Sequence, residues 1–248
     1  MNMNYTEAIS SEIFSVISKA SHQLQIESYV IGGYVRDFFL KRGNSKDIDV
    51  VAIGSGIDLA KQVSKLLPNK PKVQVFKTYG TAMLRYNEIE IEFVGARKES
   101  YSENSRNPEV TEGTLQDDQN RRDLTINALA LSLNKDNFGE LLDPFNGIDD
   151  LENKVIKTPL NPDITYSDDP LRMMRAIRFT TQLNFNIDNN SLDAISRNSY
   201  RLKIITRERI VDELNKILAS SKPSIGFLLL EKTGLLKQIL PELLALKG

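Results

Sequence analysis

The chain has 248 residues, 40% of them apolar and 26% charged, which suits a globular protein of one large or two small domains with no apolar run near the roughly 18 residues of a membrane span. It has no cysteine and one histidine, His22, so disulfides, zinc–thiolate centres and multi-histidine metal sites are excluded, and any metal must sit among oxygens, as magnesium does. The net charge of −1 hides an asymmetry: residues 1–170 carry 19 Lys+Arg against 26 Asp+Glu and residues 171–248 carry 13 against 7, a division that suits an enzyme acting on a polyanion.

The N-terminus, Met1-Asn2-Met3-Asn4-Tyr5, lacks the basic and apolar regions of a signal peptide, so the cytoplasm is the expected compartment. Residues 6–20 predict an amphipathic helix, with Ile9, Ile13, Val16 and Ile17 at helical spacing and His22 on the surface at its end. Tyr29-Val30-Ile31 reads as a strand running into Gly32-Gly33, and a helix starts by Val35. Asp47 to Val51 alternates with period two and predicts a strand, followed by a helix over Leu59 to Leu67 and a strand at Val73 to Phe76. Thr81 to Tyr86 and Ile89 to Val94 predict a hairpin turning at Asn87-Glu88. Residues 97–120 are polar with little periodicity and are expected to form a functional or mobile loop. Asp123 to Leu133 mixes helix and strand signals, and Leu141-Leu142 ends a strand in the turn Asp143 to Gly147. Beyond Ser167 only helices are expected, at 168–182, 190–198, 206–219 and 223–232. The apolar end, Leu240 to Gly248, suggests a cut inside or at the end of a longer protein.

Three patterns carry chemistry. In Gly32-Gly33-Tyr34-Val35-Arg36-Asp37 a strand passes through glycines into a helix; glycines let the backbone approach a phosphate, the helix start offers free N–H groups, and Arg36 adds a cation. The spacing is neither that of a dinucleotide fingerprint nor that of a Walker loop. In Asp47-Ile48-Asp49 the carboxylates share one strand face, and two such groups repel unless a cation sits between them. In Glu88 to Phe93 three glutamates alternate with Ile89, Ile91 and Phe93; Glu92 is chosen as a third carboxylate, although periodicity does not separate it from Glu90.

The first two patterns resemble the opening motif of the class II tRNA nucleotidyltransferase and bacterial poly(A) polymerase family. Arg121 to Leu129 resembles its second motif, with Leu124 where Phe is usual, and Asp143 to Leu151 its third. Asp168-Asp169-Pro170-Leu171-Arg172 through Phe179 resembles the fourth, with Asp168 where Glu is usual, and Glu208-Arg209-Ile210 with Glu213 resembles the fifth. Arg97, Tyr101, residues 105–108 and Val110 match the family's flexible loop, which favours full CCA addition or A addition over CC addition.

The resemblance implies an α/β head of the polymerase-β-like nucleotidyltransferase fold over residues 1–155, with a mixed, mostly antiparallel sheet, and an all-α neck over 156–248. It implies a template-independent enzyme that adds C, C and A to the 3′ end of tRNA from CTP and ATP; the alternative is a poly(A) polymerase or A-adding enzyme, and a remote one a non-catalytic RNA-binding fragment. Asp47 and Asp49 would hold Mg²⁺, with Glu92 as the third acidic residue. Gly32, Gly33 and Arg36 would contact the triphosphate, with Arg122, Asp123 and Asn127 of the second motif facing the nucleotide and Asp123 near the ribose. Asp169 and Arg172, at i, i+3 on one helical face, would read the base edge, joined by Arg175. Family members place an arginine at position 178 in the nucleotide pocket, whereas helical geometry makes Arg178 a buried structural or phosphate-facing group. Family members use body and tail regions to grip tRNA, so this chain is expected to bind NTP and magnesium yet extend RNA poorly.

Overall fold

The computed structural model describes residues 4–43, 46–100 and 109–246; Tyr101, residues 105–108, Lys247 and Gly248 lie outside them. The chain divides into two compact units. The first is Met1–Lys98, Val110–Asn120 and Ile126–Ile148, and the second Glu99–Glu109, Arg121–Thr125 and Asp149–Gly248.

In the first unit a 3₁₀ turn, Thr6–Ile9, precedes α1 (Glu12–Leu24), so the predicted N-terminal helix is two pieces. There follow β1 (Ser28–Ile31), α2 (Gly33–Phe39), β2 (Asp47–Ala52), α3 (Gly56–Leu66), β3 (Val73–Phe76), β4 (Thr81–Tyr86) and β5 (Ile89–Gly95). The polar stretch contains β6 (Arg97–Ser100), β7 (Glu109–Glu112) and α4 (Leu115–Asn120), so its ends are regular structure and not loop. The start of α4 has a local cause. Thr114 Oγ1 accepts from the Asp117 N–H at 3.2 Å while Asp117 Oδ2 accepts from the Thr114 N–H at 2.9 Å, a reciprocal cap. The last two residues of a 3₁₀ turn (Thr125–Asn127), β8 (Ala130–Ser132), β9 (Leu141–Leu142) and the first residues of α5 (Gly147–Glu152) complete the unit.

Seven strands form one sheet in the order β3-β4-β5-β2-β1-β8-β9, in which only β2 and β5 run parallel. Ile48, Val50, Ile91 and Phe93 point to one face and are buried, each contributing about 1.5–3 kcal/mol. Helices α1 and α3 pack on each other, and α3 lies against β2, β4 and β5. The same alternation turns Asp47, Asp49, Glu90 and Glu92 together to the other face. The β4–β5 turn places Asn87 at φ 47° and Glu88 at φ 65°, the left-handed pair of a two-residue hairpin.

The second unit holds β10 (Val155–Ile156), α6 (Pro162–Asp168), α7 (Leu171–Leu183), β11 (Asn186–Ile187), α8 (Asn189–Asn198), α9 (Arg207–Leu218), α10 (Pro223–Lys232), α11 (Leu235–Ile239) and α12 (Pro241–Ala245). Two departures from the expected run of helices appear. Val155–Ile156 pairs in parallel with Asn186–Ile187, so the region is not purely helical. The helix expected over 168–182 is broken: Asp169 is extended at φ −131°, ψ 99°, because a residue before proline is driven from the helical region, and α7 starts only after Pro170.

Candidate active site

In the first unit the site assembles around the end of β1. Gly32 has φ 82° and ψ −132°, a conformation open to glycine alone, and it caps α2. Arg36, one turn into α2, is buried, and its head is pinned twice. Nε and Nη2 donate to the Asp37 carboxylate at 2.9 and 3.0 Å, and Nη1 donates to Asn127 Oδ1 at 2.8 Å. Asn127 is itself buried, so the second motif reaches the first through this contact.

Strand pairing arranges the carboxylates. Ile31, the residue before Gly32, is the register partner of Asp49 on β2, and Asp49 is the partner of Glu92 on β5. Asp47 is the partner of Glu90. Register therefore separates the two glutamates that periodicity left equivalent: Glu92 lies beside the carboxylate nearest the glycine turn, whereas Glu90 lies beside Asp47 and its carboxylate is ion-paired with Arg85. Asp47 and Glu92 are exposed and Asp49 is half-buried. Three carboxylates and no softer donor suit a hard divalent ion. Among the described residues no group of three acidic or histidine side chains is gathered into a ready-made metal cage, so the fit rests on donor chemistry and strand register.

The second unit carries the other predicted residues. Asp123 is buried, and its Oδ2 accepts from Arg175 Nε at 2.6 Å. That carboxylate raises the Arg175 pKa further. Arg172 donates from Nη2 to the Arg121 carbonyl at 2.7 Å and from Nη1 to the Thr165 carbonyl at 3.5 Å. Two arginines of α7 thus clasp the segment 121–125, whose Thr125 Oγ1 donates to Asp150 Oδ2 at 2.6 Å. Arg122 is half-buried in the same segment.

Asp169 does not stand on a helical face with Arg172. It sits at the entry to α7, where Oδ1 accepts from the Leu171 N–H at 3.1 Å and Oδ2 lies 3.6 Å from Arg209 Nη2. Arg178 is buried: Nε donates to Glu213 Oε2 at 2.5 Å, Nη1 to Gln182 Oε1 at 2.9 Å, and the guanidinium carbon lies 3.9 Å from the Phe179 ring centre. Its pKa is lowered because burial outweighs the Glu213 charge. The roles of Arg209 and Glu213 as partners were not read from the sequence, although both lie in the fifth motif.

A family model of the poly A polymerase head domain matches residues 28–157. The chain belongs to this family. A second model, the probable RNA and SrmB-binding site of polymerase A, matches residues 184–246. The A-adding tRNA nucleotidyltransferase of Aquifex aeolicus is 35% identical over 199 residues, covering 79% of this chain and 24% of the relative. The CCA-adding enzyme of Bacillus velezensis is 33% identical over 241 residues, covering 96% of this chain and 57% of the relative. The structure of the Thermotoga maritima CCA-adding enzyme complexed with tRNA superposes with a TM-score of 0.83 at 28% identity, covering 97% of this chain and 56% of that one. The chain therefore spans little more than half the length of these relatives, or less. Nucleotidyltransferases of the poly(A) polymerase head family use a divalent metal. Among the described residues no helix is long and apolar enough to cross a membrane.

Proposed function

We propose that this member of the poly(A) polymerase head family is a template-independent RNA nucleotidyltransferase that adds C and A to the 3′ end of tRNA from CTP and ATP, in the cytoplasm where those substrates are. The observation that carries the reading is the register that lines up the Gly32 turn, Asp49 and Glu92 across three neighbouring strands. The head comprises residues 1–155 and the helical neck 156–248.

The incoming triphosphate lies against the Gly32-Gly33 turn, with the Arg36 guanidinium beside it. Asn127 and Asp37 fix that guanidinium, so it loses little freedom on binding. Asp47 and Asp49, with Glu92, are the residues that hold a divalent ion, which we assign as Mg²⁺; when bound, it acidifies a hydroxyl and neutralises charge on a departing pyrophosphate. The primer 3′-hydroxyl attacks the α-phosphorus as the bond to the bridging oxygen of the β-phosphate breaks. Arg122 faces the nucleotide and Asp123 its ribose, and Asp169 and Arg172 offer an acceptor and a forked donor to the base edge. Arg175 positions Asp123 through their ion pair. Arg178, paired with Glu213, supports this cluster from within the neck.

The 35% identity to an A-adding enzyme favours a second reading, addition of A alone. Separate assays with CTP and ATP on tRNA ending before CCA and on tRNA ending in CC test both. CTP incorporation followed by one A supports CCA addition; ATP incorporation only onto tRNA already ending in CC supports the second; no incorporation of either overturns both.

A further inference from the structure

Helix α2 carries Gly33 and Arg36, yet it has only 7 residues. An isolated helix shorter than about 12–15 residues is marginal in water, so the place of α2 is set by what packs on it. The segment before α1, which has no part in the reaction described above, lies along it. Tyr34, the second residue of α2, donates from its hydroxyl to the Ala8 carbonyl at 2.8 Å, and its ring lies 5.2 Å from that of Phe14 on α1. Burial pushes the Tyr34 phenol up, so the hydroxyl stays a donor. At the other end of α2 the Tyr5 ring meets Phe39 edge-on at 4.8 Å and Phe38 at 6.4 Å. The 3₁₀ turn Thr6–Ile9, with Ala8 and Ile9 buried, joins the two grips.

The turn is itself fixed to the sheet. The Tyr5 N–H donates to the Gly139 carbonyl and Asn4 Nδ2 donates to the Phe138 carbonyl, both at 2.8 Å. Gly139, between β8 and β9, has φ 86°, and a Cβ there would lie 2.8 Å from both Asn4 Oδ1 and Thr6 Cγ2. Glycine at this position lets the N-terminal segment come this close. A line of contacts therefore runs from the β8–β9 connection through Tyr5 and Ala8 to both ends of α2.

We propose that Tyr5 and Tyr34 are positioning residues for the triphosphate site, and that residues 4–9 are a splint holding α2 where Gly33 and Arg36 meet the phosphates. The proposal rests on the nucleotidyltransferase reading, which puts the triphosphate at the Gly32-Gly33 turn. A neutral hydrogen bond or an edge-on ring contact is worth a factor of about two to ten, so Tyr34→Phe and Tyr5→Ala each weaken ATP binding by about three- to tenfold. Tyr5→Phe, which keeps the ring, restores the affinity to within about twofold of wild type. Affinity is titrated calorimetrically with the full chain and Mg²⁺, at a temperature at which circular dichroism shows every variant folded. Wild-type binding with both variants within about twofold of it overturns the splint alone. A wild-type chain that binds no ATP overturns the reading of the glycine turn, and the splint with it.

A second measurement needs no nucleotide. Amide hydrogen exchange across α2 and α3 is compared in the same proteins. Faster exchange at the α2 amides in Tyr34→Phe and Tyr5→Ala, with α3 unchanged on the same sheet, is the expected result. Unchanged exchange at α2 overturns the splint even where ATP affinity falls. An equal rise at α3 marks a general loosening of the head and overturns it as well.

Discussion

Replacing Glu213 with Gln leaves the Arg178 guanidinium buried opposite a neutral amide. The Arg178 side chain is 10% exposed and that of Glu213 4%, with 2.5 Å between Nε and Oε2. Removing one partner of a buried pair costs about 3–5 kcal/mol. Gln182 and the Phe179 ring remain against the guanidinium and hold the cost near the lower figure, about 3 kcal/mol. In a chain of this length that corresponds to a fall in Tm of about 6–12 °C, read by circular dichroism. The double variant Arg178→Met/Glu213→Leu recovers most of the loss, because burying both charges costs nearly as much as their attraction returns. The lowered Arg178 pKa, with burial as its largest cause, has the same sense. A Glu213→Gln protein that melts within about 2 °C of wild type, or a double variant no better than the single one, refutes the reasoning. NTP binding by the double variant then separates two roles for Arg178: retained binding marks a structural group, lost binding a nucleotide contact.

Further expectations follow from the same contacts. Asp49→Ala abolishes nucleotide transfer and leaves Tm within about 2 °C, since the side chain is half-buried on a polar face; near-normal turnover refutes the metal assignment. Arg172→Ala reduces discrimination between CTP and ATP before it abolishes transfer, scored by sequencing products from mixed nucleotides. Asn127→Ala frees one end of the Arg36 head and weakens triphosphate binding several-fold, read by titration with ATP, whereas unchanged ATP affinity removes Arg36 from the phosphate site. Arg197, followed by Asn198, holds the Asp163 carboxyl below the ordinary range. A lowered folded pKa stabilises at neutral pH and that contribution is lost on acidification, so the Tm gap between wild type and Asp163→Asn narrows as pH falls below about 4. The pair is exposed, so the gap is small, and a gap that widens on acidification contradicts the sign.

The face that carries Asp47 and Asp49 was legible because strand alternation is local: Asp47-Ile48-Asp49-Val50 buries the aliphatics and turns both carboxylates to the other side without reference to the rest of the chain. The register between β2 and β5, which sets Glu92 beside Asp49 and Glu90 beside Asp47, is encoded by no local pattern. Two misses had signals in plain view. The proline at 170 forbids a helix through Asp169, and Thr114 with Asp117 three residues later is a helix-start pattern inside a stretch read as loop. The two-residue strands at Val155 and Asn186 are too short to show any period. The pairs Asp123–Arg175 and Arg178–Glu213 join residues 52 and 35 positions apart, and only tertiary packing brings them together.

The central claim is template-independent extension of an RNA end, and one reaction tests it directly. The 248-residue chain is incubated with a tRNA lacking CCA, a divalent metal and CTP plus ATP, and the 3′ ends are sequenced beside an Asp47→Ala/Asp49→Ala control. Ends carrying added C and A with the wild-type chain, however few, and none with the control are the predicted result. Unextended ends in both reactions would contradict the account.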